Sequence, residues 1–317
     1  MIVQVEVAGF LWRGQITRDA LAFETVCLPK EKGGLGIPFL RAKCDALLLM
    51  QAVRMLKSRK SSRDHLSFWI GKYLPFLPDM SSVEHTLVRN RRISDRTPDV
   101  YLKLRDLILE AKAMERLEID NLEQVTTKGL YLSYIETIPP APIEDVHPEY
   151  DWEKIWSRSI HPVLSPTAQS LLYLLVHERV STKERGFRLM PTRFQNNLCS
   201  GCWKEPDTME HRYCACELLA EAWEGLRETL TLLHPELVHC SNRELLSLNF
   251  PAYPDETRIL WLLGSYLEIA EKEVVLGMAK LTRQKLTGIL AYMKIEARHV
   301  RMPELGFIPG LDHLDNG

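Results

Sequence analysis

Residues 198–223 hold four of the seven cysteines of the chain, together with one histidine. A C-x2-C pair opens the segment, and an H-x4-C pair follows eight residues later. Structural zinc is held by four nitrogen or sulfur ligands in a tetrahedron, usually supplied as two such local pairs. The spacing therefore predicts a structural zinc ion as cofactor. Its predicted ligands are Cys199, Cys202, His211 and Cys216, with Cys214 as the alternative to Cys216.

The same cysteines could instead be buried thiols or disulfides. The first residues of the chain contain no basic segment followed by a long apolar core, so the sequence gives no sign of secretion. Cysteines spaced in this way in a reducing compartment are more often metal ligands than disulfides. A set of four good ligands also leaves no coordination position for water, which favours a structural site over a hydrolytic one.

A basic segment leads directly into the predicted zinc site. Between its first and last cation the segment contains a single acidic residue, Glu184. Basic residues beside a small zinc module commonly contact phosphates. We therefore expect RNA or single-stranded DNA as the partner. The predicted contact residues are Arg179, Lys183, Arg185, Arg188 and Arg193. Four aromatic residues nearby could stack on bases, although core packing is the more ordinary role for each: Phe187, Phe194, Trp203 and Tyr213.

Composition describes an ordinary globular chain of 317 residues, with 45% hydrophobic and 26% charged residues. The net charge of −2 gives no overall attraction to nucleic acid, so any such attraction must be local. No apolar run approaches the roughly 20 residues that span a bilayer. We therefore expect no membrane association, and a location in the nucleus or cytoplasm.

Helical periodicity dominates the segments that must position these residues. Apolar stripes predict helices over residues 42–57, 98–117, 126–135, 217–233 and 254–301, the last as two helices or one bent helix. Asp151 and Ser165 are predicted N-caps of two further helices, and His177 is expected to be a hydrogen-bonded residue at a helix end. The predicted fold is mainly α, a multi-helix assembly with a small Cys-Cys-His-Cys zinc knuckle and few or no strands.

The domain prediction places a helical region at residues 1–138 and a proline-rich linker at 139–150. A helical zinc-knuckle module follows at 151–240, then C-terminal helices at 241–301 and a tail at 302–317. A glycine-rich turn holds Gly33, Gly34 and Gly36, where positive φ or close backbone approach is expected. Cations between residues 41 and 63 form either a solvated helix end or a phosphate-contacting patch.

Catalysis is not predicted. A two-metal polymerase requires paired aspartates, and the chain contains no Asp-Asp pair. Cys27, Cys44 and Cys240 have no neighbouring base that would activate a nucleophilic thiol.

Two groups of motifs resemble one known family. The segments FLWRG at residues 10–14 and VCLPKEKGGLGI at 26–37 resemble the stretch after the polymerase thumb of non-LTR (LINE-type) retrotransposon reverse transcriptases. The segments WEKIW at 152–156 and VHERVSTKERG at 176–186, together with the cysteine segment and Trp223, resemble the terminal zinc-knuckle region of the same polyproteins. The resemblance covers residues 10–230.

The resemblance implies a nucleic-acid-binding fragment or domesticated remnant that lacks the polymerase palm and the endonuclease. The parent polyprotein is an RNA-directed DNA polymerase, whereas this chain is expected not to be an enzyme. The alternative is a protein-interaction module in which zinc only stabilises the fold. The acidic side of the helix at 217–233 favours that alternative.

Overall fold

The computed structural model describes residues 21–57, 61–70, 97–113, 124–272, 279–300, 305–309 and 311. The predicted motif at residues 10–14 lies outside these ranges, as does most of the predicted tail. Within them the protein is mainly helical, and the one strand pairing is an isolated antiparallel bridge between Leu198 and Pro206. The prediction of a mainly α-helical fold is confirmed.

Thirteen α-helices lie within the described ranges. They are α1 (Phe23–Cys27), α2 (Leu40–Lys57), α3 (Ser61–Ile70), α4 (Asp99–Ala113), α5 (Thr127–Ile135), α6 (Pro142–Val146), α7 (Trp152–Ser159), α8 (Pro166–Val176), α9 (Lys183–Leu189), α10 (Ala220–Leu233), α11 (Asn242–Leu246), α12 (Glu256–Ala270) and α13 (Arg283–Val300). Short 3₁₀ helices occupy Lys30–Lys32 and Pro235–His239, and His211–Ala215 forms a π-helical turn. The segment predicted at 254–301 thus contains two separate helices.

The chain divides into two compact units. The smaller unit comprises Phe23–Leu28 and Leu35–Pro139, and the larger contains Pro29–Gly34 and everything from Pro140 onward. In the smaller unit, helix α2 packs against α3, α4 and α5, and the apolar stripe predicted for α2 supplies buried residues such as Leu49 and Val53. Burial of this stripe follows from its helical period, since residues three and four apart share one face.

The larger unit is built on one continuous hydrophobic core, in which α8 packs against α12 and α10 packs against α13. Gly264 permits a close approach, because a β-carbon there would lie 2.4 Å from the side chain of Leu164. The predicted N-caps are present: the side chain of Asp151 accepts from the amide of Lys154 at 3.3 Å, and Ser165 accepts from Ala168 at 3.0 Å.

The proline-rich segment differs from the linker that its composition suggests. Residues 142–146 form helix α6, and Ala141 and Ile143 are buried in the core of the larger unit. The prolines limit regular secondary structure here, but burial of the apolar residues between them stabilises the folded state. Residues 241–301 likewise share the core of residues 151–240 instead of forming a separate module.

A buried arginine connects helix α7 to the segment at residues 248–251 and to helix α12. The guanidinium of Arg158 on α7 is 2% exposed and donates to the carbonyl oxygens of Leu248, Phe250 and Pro251. It also forms an ion pair with Glu256 at 2.8 Å. The charge is thus fully compensated, as a buried charge must be. None of the helices in the described ranges is long and apolar enough to cross a membrane.

Candidate metal centre

The first two cysteines lie on a closed loop. The bridge between Leu198 and Pro206 joins its two ends, and the amide of Cys199 donates to the carbonyl of Glu205 at 2.8 Å. The amide of Asp207 donates across the base of the loop to the carbonyl of Asn197 at 2.8 Å. This pairing turns the C-x2-C segment into a tight reversal that directs both thiols to one side.

Gly201, between the two cysteines, is fitted closely against the site. Its amide donates to the sulfur of Cys199 at 3.3 Å. A β-carbon at this position would lie 2.8 Å from the side chain of Leu218 and 3.3 Å from the sulfur of Cys216. A larger residue would therefore displace a neighbour, and glycine here serves close approach.

The second pair is set by the π-helical turn His211–Ala215. The amide of Cys216 donates to the carbonyl of His211 at 2.7 Å, five residues earlier, and the amide of His211 is capped by the hydroxyl of Thr208 at 3.1 Å. A hydrogen bond of this span widens the turn by one residue relative to an α-helix. The histidine and the cysteine five positions later therefore lie on the same side.

Cys214, the predicted alternative ligand, points elsewhere. Its side chain is 3% exposed and belongs to the hydrophobic core of the larger unit. Burial raises the pKa of its thiol well above the ordinary value. The fourth member of the cluster is Cys216, as preferred from the spacing.

Four ligand atoms converge at this place. The sulfurs of Cys199, Cys202 and Cys216 and a ring nitrogen of His211 all lie within 4.8 Å of one another. The sulfurs of Cys199 and Cys216 are 3.8 Å apart, and that of Cys202 is 3.2 Å from Nε2 of His211. In a tetrahedral zinc site with Zn–S bonds of about 2.3 Å, two sulfurs lie about 3.8 Å apart. The group fits a tetrahedral divalent cation.

None of the seven cysteines forms a disulfide. The separation of 3.8 Å between the sulfurs of Cys199 and Cys216 is far longer than the S–S bond of about 2 Å. The disulfide alternative therefore does not describe this cluster.

The thiols differ in their electrostatic setting. Burial raises the pKa of Cys216 to about 12, with the Cys199 thiol adding to the rise. At Cys202 burial also acts to raise the pKa, but the amides of Glu205 and Lys204 and the neighbouring thiols lower it below its ordinary value. A divalent cation among these sulfurs would favour the thiolates and release their protons.

We call the segment from Leu198 to Pro206, which bears Cys199 and Cys202, the metal loop. Asp207 connects this loop to the basic helix α9. Its carboxylate is 3% exposed and accepts from the backbone amide of Lys183, the first residue of α9, at 2.7 Å. The same carboxylate pairs with the guanidinium of Arg212, next to His211, through Nε at 3.0 Å and through a second nitrogen. Burial lowers the pKa of Arg212, but the hydrogen bonds and charge of Asp207 outweigh that effect and raise it.

Tyr213 anchors the π-helical turn to α12. Its ring is fully buried, and its hydroxyl donates to the carboxylate of Glu271 at 2.9 Å. Its own carbonyl accepts from the hydroxyl of Tyr266. Since Tyr213 has no exposed surface, it is core and not a stacking group.

The predicted nucleic-acid contact residues fall into different environments. Arg188 and Arg193 are exposed, and Arg179 is partly exposed in the turn after α8. Arg185 is 8% exposed, and its guanidinium donates to the carbonyl of Glu178 at 3.1 Å. The ammonium of Lys183 lies over the ring of Trp203, 4.4 Å from its centre.

Trp203 is the most exposed aromatic residue near the cluster, with 59% of its surface accessible. Its φ of 57° lies in the left-handed region, which is uncommon for a bulky residue. The amide of Trp203 donates to the carbonyl of Cys199 at 2.9 Å, so the metal loop itself holds this conformation. A lysine over an exposed indole is a cation–π contact.

The acidic side of α10 is partly neutralised by basic residues. Glu228 pairs with Arg283 of α13, and Glu221 pairs with Lys280 at 3.3 Å. Glu217, which precedes α10 and belongs to the predicted helix at 217–233, pairs with Lys204 at 2.6 Å. The acidic face therefore repels an anionic partner less than the sequence of α10 suggests.

His177 is 2% exposed at the end of α8, where its Nε2 lies 2.9 Å from the carbonyl oxygen of Gly33. Burial lowers the pKa of this imidazole to about 4, so the neutral ring donates to that oxygen. Gly33 has φ of 77°, and a β-carbon there would lie 2.6 Å from the ring of Trp156. The glycine-rich turn thus provides both the positive φ and the close approach expected of it.

No protein-family model, no curated protein and no solved structure matches the chain.

Proposed function

We propose that this chain is a zinc-stabilised nucleic-acid-binding protein of the kind found at the end of non-LTR retrotransposon polyproteins. Its zinc ligands are Cys199, Cys202, His211 and Cys216. Its partner is RNA or single-stranded DNA, and the proposal gives the chain no catalytic step. Since free thiol ligands persist in reducing compartments, we place the protein in the nucleus or cytoplasm.

One observation carries the proposal. The convergent Cys₃His group is joined through the buried Asp207 to the first residue of the basic helix α9. A bound metal ion would fix the loop and, through Asp207, the helix that follows the turn of Arg179. The cations would then be presented by a rigid element, which lowers the entropy lost on binding.

Exposed groups of suitable chemistry lie around this link. Arg188 and Arg193 can reach phosphates without leaving buried partners, and Trp203 offers an aromatic face with Lys183 beside it. Stacking on aromatic residues together with cationic contacts is the usual basis of single-strand binding without sequence preference.

Salt dependence provides the test. We assume that one phosphate is neutralised by each of four cations, Arg179, Lys183, Arg188 and Arg193. The slope of log K against log [salt], where K is the association constant for a single strand, is then about −3. Affinity for a single-stranded RNA should then fall about 50-fold between 50 and 200 mM salt. Fluorescence anisotropy of the zinc-loaded protein with a labelled oligonucleotide measures both quantities.

Charge removal refines the test. The double variant Arg188→Gln, Arg193→Gln should reduce the slope by about 1.4. Lys128→Gln removes an exposed charge on α5 and should leave the slope unchanged. Absence of binding at 50 mM salt, with zinc bound, would reject the proposal and leave the protein-interaction alternative.

A further inference from the structure

A small cavity collects three of the basic residues that precede the metal loop. Its volume is about 190 Å³, and Arg179, Arg185 and Arg188 line it together with Glu178 and His177. Helix α6 contributes apolar residues to the wall, including Ile143. The three arginines come from two elements, the turn after α8 and helix α9, so only the tertiary structure places them around one space.

The charge in this cavity is positive. Among the described residues that line it, Glu178 alone has a carboxylate, and that carboxylate pairs with Arg243 and lies 3.3 Å from Nε2 of His147. His177 is neutral, as described above. Three arginines therefore line the space with one carboxylate that has cationic partners of its own.

One arginine has a donor that no group in the described ranges satisfies. Nε of Arg179 is buried and has no hydrogen-bond partner within the described part of the chain. Guanidinium groups match the oxygens of a phosphate in geometry and charge, and paired N–H donors make such contacts strong.

Arg179 follows a tight turn at the end of α8, in which Glu178 has a positive φ. The amide of Glu178 donates to the carbonyl of Leu175 at 2.9 Å, and that of Arg179 donates to Leu174 at 2.7 Å. This is the C-terminal turn that usually takes glycine, yet Glu178 adopts it with φ of 53°. Backbone strain of this kind is concentrated at functional sites.

A second cavity of about 370 Å³ shares Glu178, Arg185 and Arg188 with the first. Its further polar lining residues are Arg243, Thr182, Thr208 and two carboxylates, Glu184 and Glu210. The shared arginines line both spaces. The three carboxylates of the larger cavity balance its three arginines, so the excess of positive charge lies in the smaller one.

We propose that the smaller cavity binds a single phosphate group of the nucleic-acid partner, through Arg179, Arg185 and Arg188. The inference rests on the proposed function and names one site within it. The phosphate can belong to the end of a strand or to its backbone, because both present oxygens to guanidinium donors.

Inorganic phosphate is the first probe. Titration of the full zinc-loaded chain into phosphate should broaden its ³¹P resonance. Arg179→Met and Arg188→Met should each weaken phosphate binding at least tenfold, whereas Arg179→Lys should retain part of it. Lys154→Met is the matched control, because Lys154 is an exposed cation of the same unit that lines neither cavity and is not among the proposed nucleic-acid contacts. Near-ultraviolet circular dichroism verifies that each variant keeps the native packing.

Oligonucleotides then separate the two sources of phosphate. A strand with a 5′-phosphate that binds at least fivefold more tightly than its 5′-hydroxyl form, only when Arg179 is present, identifies a terminal phosphate. Equal binding of the two strands, both weakened by Arg179→Met, identifies a backbone phosphate.

The inference and the proposed function fail in different ways. No broadening with wild-type protein, or equal loss in Lys154→Met, overturns the cavity site while oligonucleotide binding can persist. Phosphate binding that depends on Arg179, without any oligonucleotide binding at low salt, supports the cavity and overturns the nucleic-acid proposal.

Discussion

Replacement of Asp207 by asparagine tests whether one buried carboxylate holds the metal loop to the basic helix. The side chain of Asp207 is 3% exposed and that of Arg212 is 14% exposed, so the variant leaves a largely buried guanidinium without its counter-ion. Loss of one partner of a buried ion pair costs about 3–5 kcal/mol. Asparagine keeps one acceptor oxygen, which places the expected loss near the lower end, at about 3 kcal/mol.

For a unit of this size, a loss of 3 kcal/mol corresponds to a fall in melting temperature of about 6–12 °C. Thermal unfolding of the zinc-loaded protein, followed by circular dichroism, measures it. Zinc should also pass more readily to a competing chelator, since the loop that bears Cys202 and the turn that bears His211 both depend on this pair. Because the amide of Lys183 loses a charged acceptor as well, amide hydrogen exchange at the start of α9 should quicken.

Glu205→Gln provides the control, since Glu205 is an exposed acid on the same loop and contributes its carbonyl, not its side chain, to the loop pairing. If the melting temperature of Asp207→Asn falls no further than that of Glu205→Gln, the reasoning about the buried pair is wrong. If stability falls but exchange in α9 is unchanged, Asp207 stabilises the loop without coupling it to the helix.

Three further predictions concern the metal site and the core. Cys216→Ser should abolish stoichiometric zinc binding as measured by elemental analysis, whereas Cys214→Ala should retain one zinc per chain because that thiol lies in the apolar core. The folded-state pKa of His177 is depressed from about 6.5 to about 4, so its contribution to stability is present above pH 6.5 and lost as pH falls towards 4. Urea unfolding should show about 2 kcal/mol of this loss between pH 7.5 and pH 5, and His177→Gln should reduce the difference by that amount. Arg158→Leu should cost about 4 kcal/mol or more in urea unfolding, because it leaves buried carbonyls and a carboxylate without a donor, whereas the exposed Lys154→Leu should cost under about 1 kcal/mol. A small effect of Arg158→Leu would show that water replaces the guanidinium.

Much of the helical structure could be predicted from residues that are close together in the sequence. The helical period predicted α2, α5 and α10 within a few residues, and the caps at Asp151 and Ser165 lie where the side chains can accept from the following amides. These features depend on residues close together in the chain, so the sequence contains the information directly. The proline-rich segment shows the limit of such reasoning, because turn-forming residues say nothing about whether Ile143 finds a core to enter.

The candidate site divides in the same way. The residue types and the spacing were sufficient to predict that Cys199, Cys202, His211 and Cys216 converge, because metal ligands of this kind come in short local pairs. The choice between Cys214 and Cys216 was decided by the π-helical turn, whose extra residue leaves no periodic signal in the sequence.

The contacts of the basic residues were decided by tertiary structure alone. Nothing in the local sequence marks Asp207 as the partner of both Arg212 and the start of α9, or separates the buried Arg185 from the exposed Arg188. Local composition determines that cations precede the metal loop, since residue identity fixes charge. Which of them face solvent, a carboxylate or a cavity depends on elements distant in sequence, because burial and electrostatic partnership are properties of the packed chain.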